Sequence, residues 1–299
     1  MKHKTELFDI VNGFFLVLIL LVVAYPLYFV IIASVSSPAA VNSGKVLFFP
    51  VQATLDGYQF VFENKSIWTG YRTTLILTVF GTAVNLIMTM TGAYALSKSH
   101  LPLIRPIMFL FTFTMFFSGG LIPSYLLISN TLHLRNSLWA LILPSAVSVY
   151  NLILVRTYYL RSVPEEVVQA AKIDGCSEFR SFLLVVLPLS KPIIATMALF
   201  YGVSHWNQFF QALIYISDQE KYPLQLVLRG ILLMGNTAMT DMLSSGMTGD
   251  NAQYVAEMMQ RAEILKYAVI IISTLPILMI YPFLQKYFVK GIMAGSLKG

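Results

Sequence analysis

Six stretches of this chain contain no Asp, Glu, Lys or Arg: 10–44, 73–97, 106–134, 136–155, 192–217 and 267–285. A helix needs about 20 residues to cross a hydrocarbon core of about 30 Å. An ionic group left at the centre of that core costs about 2.5–3.5 kcal/mol on insertion scales. Each stretch is therefore long enough for one crossing helix, and none comfortably holds two. Trimmed to their apolar centres, the expected spans are 14–33, 74–96, 107–128, 138–158, 193–215 and 267–288. The fold class this implies is an all-α polytopic membrane protein. Composition agrees: 57% of the 299 residues are hydrophobic and 11% are charged, against roughly 25% charged in soluble domains. A water-soluble enzyme is excluded.

The basic residues orient the spans. With both termini inside, the cytoplasmic segments hold Lys2, Lys4, Lys98, Arg105, Arg156, Arg161, Lys172, Arg180, Lys191, Lys286, Lys290 and Lys298. The remaining eight are spread over longer loops on the other side, so residues 1–13 and 289–299 are expected to be a cytoplasmic N-terminus and tail around a transmembrane domain of 14–288. The formal charge of +6 is then basic residue retained on the cytoplasmic side, and nucleic acid is set aside. The apolar run 10–35 exceeds the about 7–15 residues of a signal-peptide core, so it is read as a retained span. Pro26, Gly119, Gly120, Pro123, Pro144, Pro276 and Pro282 lie in or beside the spans and mark kinks or span ends.

The longest cytoplasmic segment, between the fourth and fifth spans, carries the strongest local signals. Ser162 and Glu165 have capping-box spacing, Pro164 suits a first turn, and a helix is expected from about Val163. Gly175 should close it in the left-handed conformation. Ser177 should cap a second helix running through Phe182 to Pro188. On the first helix Val167, Ala170, Ala171 and Asp174 share one face of small side chains. Asp174, near the negative end of the helix dipole, should need a partner or the N-terminus of the next helix. On these features a docking surface and an ordinary capped loop both remain open.

The run QAAKIDGCSEFRSFLLVVLPLSKP, from Gln169 to Pro192, resembles the EAA loop of importer-type ABC transporter permeases. That pattern is E-A-A-x-x-D-G, about six residues, then F-x-x-x-x-L-P-L-x-x-P. Ala170, Ala171, Asp174, Gly175, Phe182, Leu187, Pro188, Leu189 and Pro192 match it, and Gln169 stands where the family has Glu. YPLYFVIIASVS from Tyr25, GAYALSK from Gly92, Trp206 with Asn207, and the ending QKYFVKGIMAGSLKG extend the likeness over nearly the whole chain. It is similar to the second, six-span permease of carbohydrate uptake systems, the class that includes the maltose transporter.

The resemblance implies a bacterial plasma membrane protein, multi-pass, whose EAA coupling loop, 161–192, sits in a cleft of a separate ATPase subunit. Gln169, Ala170, Ala171, Asp174, Gly175, Phe182, Pro188 and Pro192 are then the ATPase-coupling residues, and Gly295, Lys298 and Gly299 of the tail a further ATPase contact. The implied partners are a second permease, two ATP-binding subunits and an extracytoplasmic solute-binding protein. The chain has no G-x-x-x-x-G-K-[ST] pattern, so no cofactor is expected on it; ATP and Mg belong to the partner subunits. The outer segment 218–263, amphipathic around 224–234 and polar at 240–251, is where family members touch the binding protein.

Trp206, Asn207, Gln208 and Phe209 combine rings with amides, a combination suited to a sugar, although a Trp at a span end also serves as an interfacial anchor. They form the candidate substrate path. The sugar or oligosaccharide expected includes uronate-containing fragments of alginate or pectin, yet the six charge-free stretches hold no Arg or Lys to neutralise one. A proton-coupled secondary transporter is the alternative, and spans without Asp or Glu argue against it. A membrane-embedded enzyme has no support either: H-E-x-x-H and G-x-S-x-G are missing and the four histidines are scattered. Cys176, the one cysteine, builds neither a disulfide nor a metal site.

Overall fold

The computed structural model describes residues 7–98, 102–233, 262, 265–280 and 282, which are mainly helical and contain no strand. They fall into two compact units, Met1–Ile67 with Leu228–Leu275 and Trp68–Val227 with Pro276–Gly299.

The first unit begins with α1 (Leu7–Ser34), whose residues from Phe8 to Val23 expose large apolar side chains on every face. A helix apolar all round is built to be surrounded by lipid or by other protein. Its last turns are the YPLYFVIIASVS segment, and the following chain folds back onto them. The Tyr25 hydroxyl donates to the Leu47 carbonyl at 3.3 Å. Ser36 donates to the Ile32 carbonyl at 2.6 Å and accepts the Val51 N–H at 3.2 Å. Ile32, Ala40 and Val46 close a small core beneath this fold-back. Two short helices follow, α2 (Pro38–Asn42), capped by Ser37, and α3 (Asp56–Glu63).

The spine of the second unit is α4 (Lys65–Ser97), 33 residues in one helix. The next three expected rods, 107–128, 138–158 and 193–215, are each broken. α5 (Ile104–Phe116) and α6 (Leu121–Thr131) meet at 109°. The cause is Gly120, whose φ of +84° no continuing helix can adopt. α7 (Trp139–Ser145) and α8 (Val149–Ser162) meet at 50° past Pro144, and Ser148 caps the restart by accepting the Asn151 N–H. Beyond the loop helices α9 (Glu165–Ile173) and α10 (Glu178–Leu189), α11 (Lys191–Trp206) stops at Asn207, whose amide donates to the Val203 carbonyl at 3.0 Å and closes the helix. α12 (Phe210–Tyr215) then starts afresh. In lipid such breaks hold only where protein groups satisfy the freed backbone, and these three do so with serine, asparagine and backbone partners.

α13 (Leu224–Leu233) and α14 (Leu265–Ile280) complete the described helices. Of the expected sixth span, 267–288, only its first part is described. Among the described residues, helices long and apolar enough to cross a membrane number two, or up to five when each bent pair is taken as one crossing.

Candidate coupling site

The loop between α8 and α11 is part of the core rather than an appendage. Val168 on α9 and Phe182 and Val186 on α10 are buried in one cluster with Met90, Ala93 and Leu96 of α4, Leu152, Val155 and Tyr159 of α8, and Met197 and Tyr201 of α11. Burial at that depth contributes about 1.5–3 kcal/mol for each large side chain. The loop is thereby held as a rigid extension of three long helices.

Local sequence explains its shape, with one correction. Ser162 does not cap α9: it is the last residue of α8, and α9 begins at Glu165 with Pro164 as the extended residue before it and no side-chain cap. The backbone of Val163 and Pro164 is extended, as proline imposes on the residue before it, and this breaks the chain between the two helices. The end of α9 follows the expectation. Gly175 has φ +84°, its N–H bonds the Lys172 carbonyl at 3.0 Å and the Cys176 N–H bonds the Ala171 carbonyl at 2.9 Å. That pair of bonds is a Schellman closure, which glycine makes without steric cost. Ser177 caps α10 by accepting the Arg180 N–H at 3.3 Å.

α10 carries a π-helical turn at Phe182–Val186 just before Pro188, whose ring removes an N–H from the helix. The chain then turns by 83° into α11 at Ser190, a fully buried residue whose hydroxyl donates to the Val186 carbonyl at 2.6 Å. Pro188 and Pro192 flank this elbow. Ser190, which pins it, carried no signal in the sequence beyond its place between them.

Once Val168, Phe182 and Val186 have turned inward, the rest of the loop is left open. Gln169, Ala170 and Asp174 are exposed, Ala171 is half-buried and Val167 is 44% exposed. Ile173 is 87% exposed and Phe179 67%. Sequence reasoning named the small residues of this face and missed the two large apolar ones. The Asp174 backbone N–H donates to the Ala170 carbonyl at 3.0 Å, while its carboxylate has no hydrogen bond or ion pair among the described residues.

A third set of contacts ties the loop to α4. Glu178 accepts the Tyr94 hydroxyl at 2.9 Å, pairs with Lys172 on α9, and lies 3.9 Å from the Lys98 ammonium. Lys98 in turn sits 4.3 Å above the Tyr94 ring, and that ring packs 5.0 Å from Phe182. The Lys172 hydrogen bond, with help from Tyr94 and Lys98, holds the Glu178 carboxyl below its ordinary value of 4.5. Burial lowers Lys98, partly offset by Glu178. A cavity of about 110 Å³ separates the loop from the helices here, lined by Tyr94, Lys98, Tyr159, Glu165 and Val168 among others.

The four candidate substrate-path residues do not converge on one surface. Trp206 is buried, 6.0 Å edge-on from Tyr71, and lines a cavity of about 360 Å³ with Thr78, Thr82 and Gly202. Asn207 is spent on closing α11. Gln208 turns inward, donating to the Leu141 carbonyl at 3.0 Å, while Phe209 is exposed. His205 is buried beside them, 2.7 Å from the Asn85 side-chain oxygen. Asn85 donates in turn to the Ser145 carbonyl, so α4, α7 and α11 are joined by a polar hub inside the spans. Gly295, Lys298 and Gly299, and the polar stretch 240–251, lie outside the described residues. Among the described residues no cluster of side chains could hold a metal ion.

Comparison with known proteins gives one consistent answer. The chain is 39% identical over 296 residues to the polygalacturonan/rhamnogalacturonan transport system permease protein YtcP of Bacillus subtilis (strain 168), covering 99% of this chain and 100% of that one. It is 42% identical over 300 residues to protein LplC of the same organism, covering 99% and 98%. Among solved structures it matches, with a TM-score of 0.82 and 32% identity over 96% of this chain and 99% of that one, a chain from the crystal structure of a bacterial ABC transporter involved in the import of the acidic polysaccharide alginate. Residues 7–294 match the family described as binding-protein-dependent transport system inner membrane component, and the chain belongs to that family.

Proposed function

We propose that this permease carries an acidic oligosaccharide, of the galacturonate or related uronate class, into the cytoplasm, driven by two separate ATPase subunits that grip the α9–α10 loop. The names of one relative and of the solved neighbour, which concern polygalacturonan/rhamnogalacturonan and alginate, support the substrate class. The observation that carries the coupling is the loop's division of labour. Val168, Phe182 and Val186 are locked into the helix core, while Val167, Ala170, Ile173 and Phe179 face outward and are exposed. A handle needs both properties: one side fixed to the moving helices, the other free for the motor.

In this reading the small Ala170 and Ala171 allow close approach to a cleft, Ile173 and Phe179 supply apolar area, and Gln169 and the unpartnered Asp174 carboxylate supply hydrogen bonds to it. Closure of the ATPase pair on ATP and Mg displaces the loop, and the shared core passes the displacement to α4, α8 and α11. A second permease completes the pathway, an extracytoplasmic binding protein delivers the sugar, and both termini face the cytoplasm. Because the six charge-free stretches of this chain supply no Lys or Arg, the sugar's carboxylates are met by hydroxyl and amide donors here and by cations of the second permease.

Purification of the tagged chain from its own membranes tests this reading. A second permease and two ATPase copies should accompany it, and ATP hydrolysis should rise when binding protein loaded with oligogalacturonate is added. A chain that purifies alone and moves sugar on a proton gradient contradicts it.

A further inference from the structure

Glu178 stands where three helices meet. Its carboxylate is held from α9 by Lys172 and from α4 by the Tyr94 hydroxyl at 2.9 Å, with Lys98 at 3.9 Å, while its own backbone opens α10. The burial-derived contacts of the loop, through Val168, Phe182 and Val186, are non-directional. The Tyr94–Glu178 hydrogen bond is directional, charge-assisted, and crosses between segments 84 residues apart in sequence. The remaining neighbours of the carboxylate reinforce that bond. Lys98 is oriented by the Tyr94 ring beneath it, and Tyr94 is wedged between Tyr159 and Phe182 at centroid distances of 6.2 and 5.0 Å. A residue kept only for solubility would not be served by an aromatic and a cation from the end of one helix and a second cation from another.

We infer that Glu178 is a positioning residue for coupling: with Tyr94 it locks the end of α4 to the hinge between α9 and α10, so that a displacement of the loop moves α4 rather than slipping past it. The inference rests on the reading of the loop as the ATPase handle. Glu178 itself lies beside, not on, the exposed face of Val167, Ala170 and Ile173. Its loss therefore leaves the ATPase bound but reduces the transport obtained for each ATP.

The test uses the complete complex in proteoliposomes, with oligogalacturonate-loaded binding protein, and reads uptake per ATP hydrolysed. Glu178→Gln and Tyr94→Phe should each assemble with normal subunit stoichiometry and lower that ratio about three- to tenfold, the scale of one charge-assisted hydrogen bond lost at a partly exposed site. The double variant should be no worse than the poorer single one, because both remove the same contact. Glu178→Asp, which keeps the charge, should recover part of the ratio. An unchanged ratio in both single variants, additive losses in the double variant, or loss of the ATPase subunits from either variant overturns the inference. Failure of the wild-type chain to bring ATPase subunits with it is a different result and refutes the handle itself.

Discussion

A Cβ placed on Gly81 would stand 2.5 Å from Nε2 of His205, closer than any packed pair of atoms tolerates. The ring cannot retreat cheaply, because the same nitrogen lies 2.7 Å from the Asn85 oxygen, and Asn85 is itself bonded to Ser145. α4 and α11 meet this closely because α4 offers a glycine where α11 offers an imidazole. Gly81→Ala is expected to destabilise the chain by about 1–3 kcal/mol, read as a lower thermal midpoint in detergent. Adding His205→Ala should recover part of that loss, since it removes the clashing ring. A full-strength Gly81→Ala protein would mean that the two helices are not held at this distance.

The exposed loop face makes a separate prediction. Ala170→Asp or Ile173→Asp should leave the protein in the membrane at normal abundance and abolish recovery of ATPase subunits with it. Full burial of an isoleucine-sized side chain contributes about 1.5–3 kcal/mol, and a new carboxylate reverses that gain. Leu184 provides the control: it is 66% exposed on α10, outside the docking face, and Leu184→Ala should retain the ATPase subunits.

Gly175 tests the geometry of the hinge. No atom lies within 4 Å of a Cβ built there, and its φ is +84°, so any penalty comes from the backbone alone. Placing an ordinary residue in the left-handed region costs roughly 1–2 kcal/mol, and asparagine less than a β-branched residue. Transport should therefore fall in the order Gly175, Gly175→Asn, Gly175→Val. Equal activity of the Asn and Val variants would remove the Schellman closure from the account.

What the sequence made legible was decided by which signals are local. The spacing from Ala170 to Pro192, the left-handed Gly175 and the Ser177 cap depend on neighbours a few residues away, and the structure has them in place. Ser162 misled because Val163 and Pro164 end one helix before the next begins, so a correctly spaced capping box had no helix to cap. The breaks after Phe116 and Ser145 were visible only as scattered glycine and proline, and the break after Trp206 carried no such signal. A run free of charge reports that lipid or protein surrounds it, not that the helix inside it is continuous. Tyr94 and Lys98 were noticed as part of a resembling segment, but their contact with Glu178 is a long-range pairing that no window along the chain can reveal. The same holds for His205 and Asn85.

The pH behaviour of the Glu178 contact follows from its cause. A carboxyl held below 4.5 by Lys172, Tyr94 and Lys98 contributes its stabilisation at pH values above the unfolded-state value and loses it as pH falls through the lower folded-state value. Amide exchange protection at Cys176–Ser181, corrected for intrinsic rates, should be constant from about pH 8 to pH 5 and fall only below about pH 4.5. A loss of protection between pH 7 and 6 would show that some other group governs the hinge.

The most direct measurement places a photo-crosslinking amino acid at Ile173 in the assembled complex, with a second at Val17 on α1 as control. The account predicts that the Ile173 probe captures an ATPase subunit and the Val17 probe does not, and that the Ile173 product survives Glu178→Gln. A probe at Ile173 that captures only lipid, or only the second permease, would contradict the assignment of this loop as the place where the ATPase takes hold.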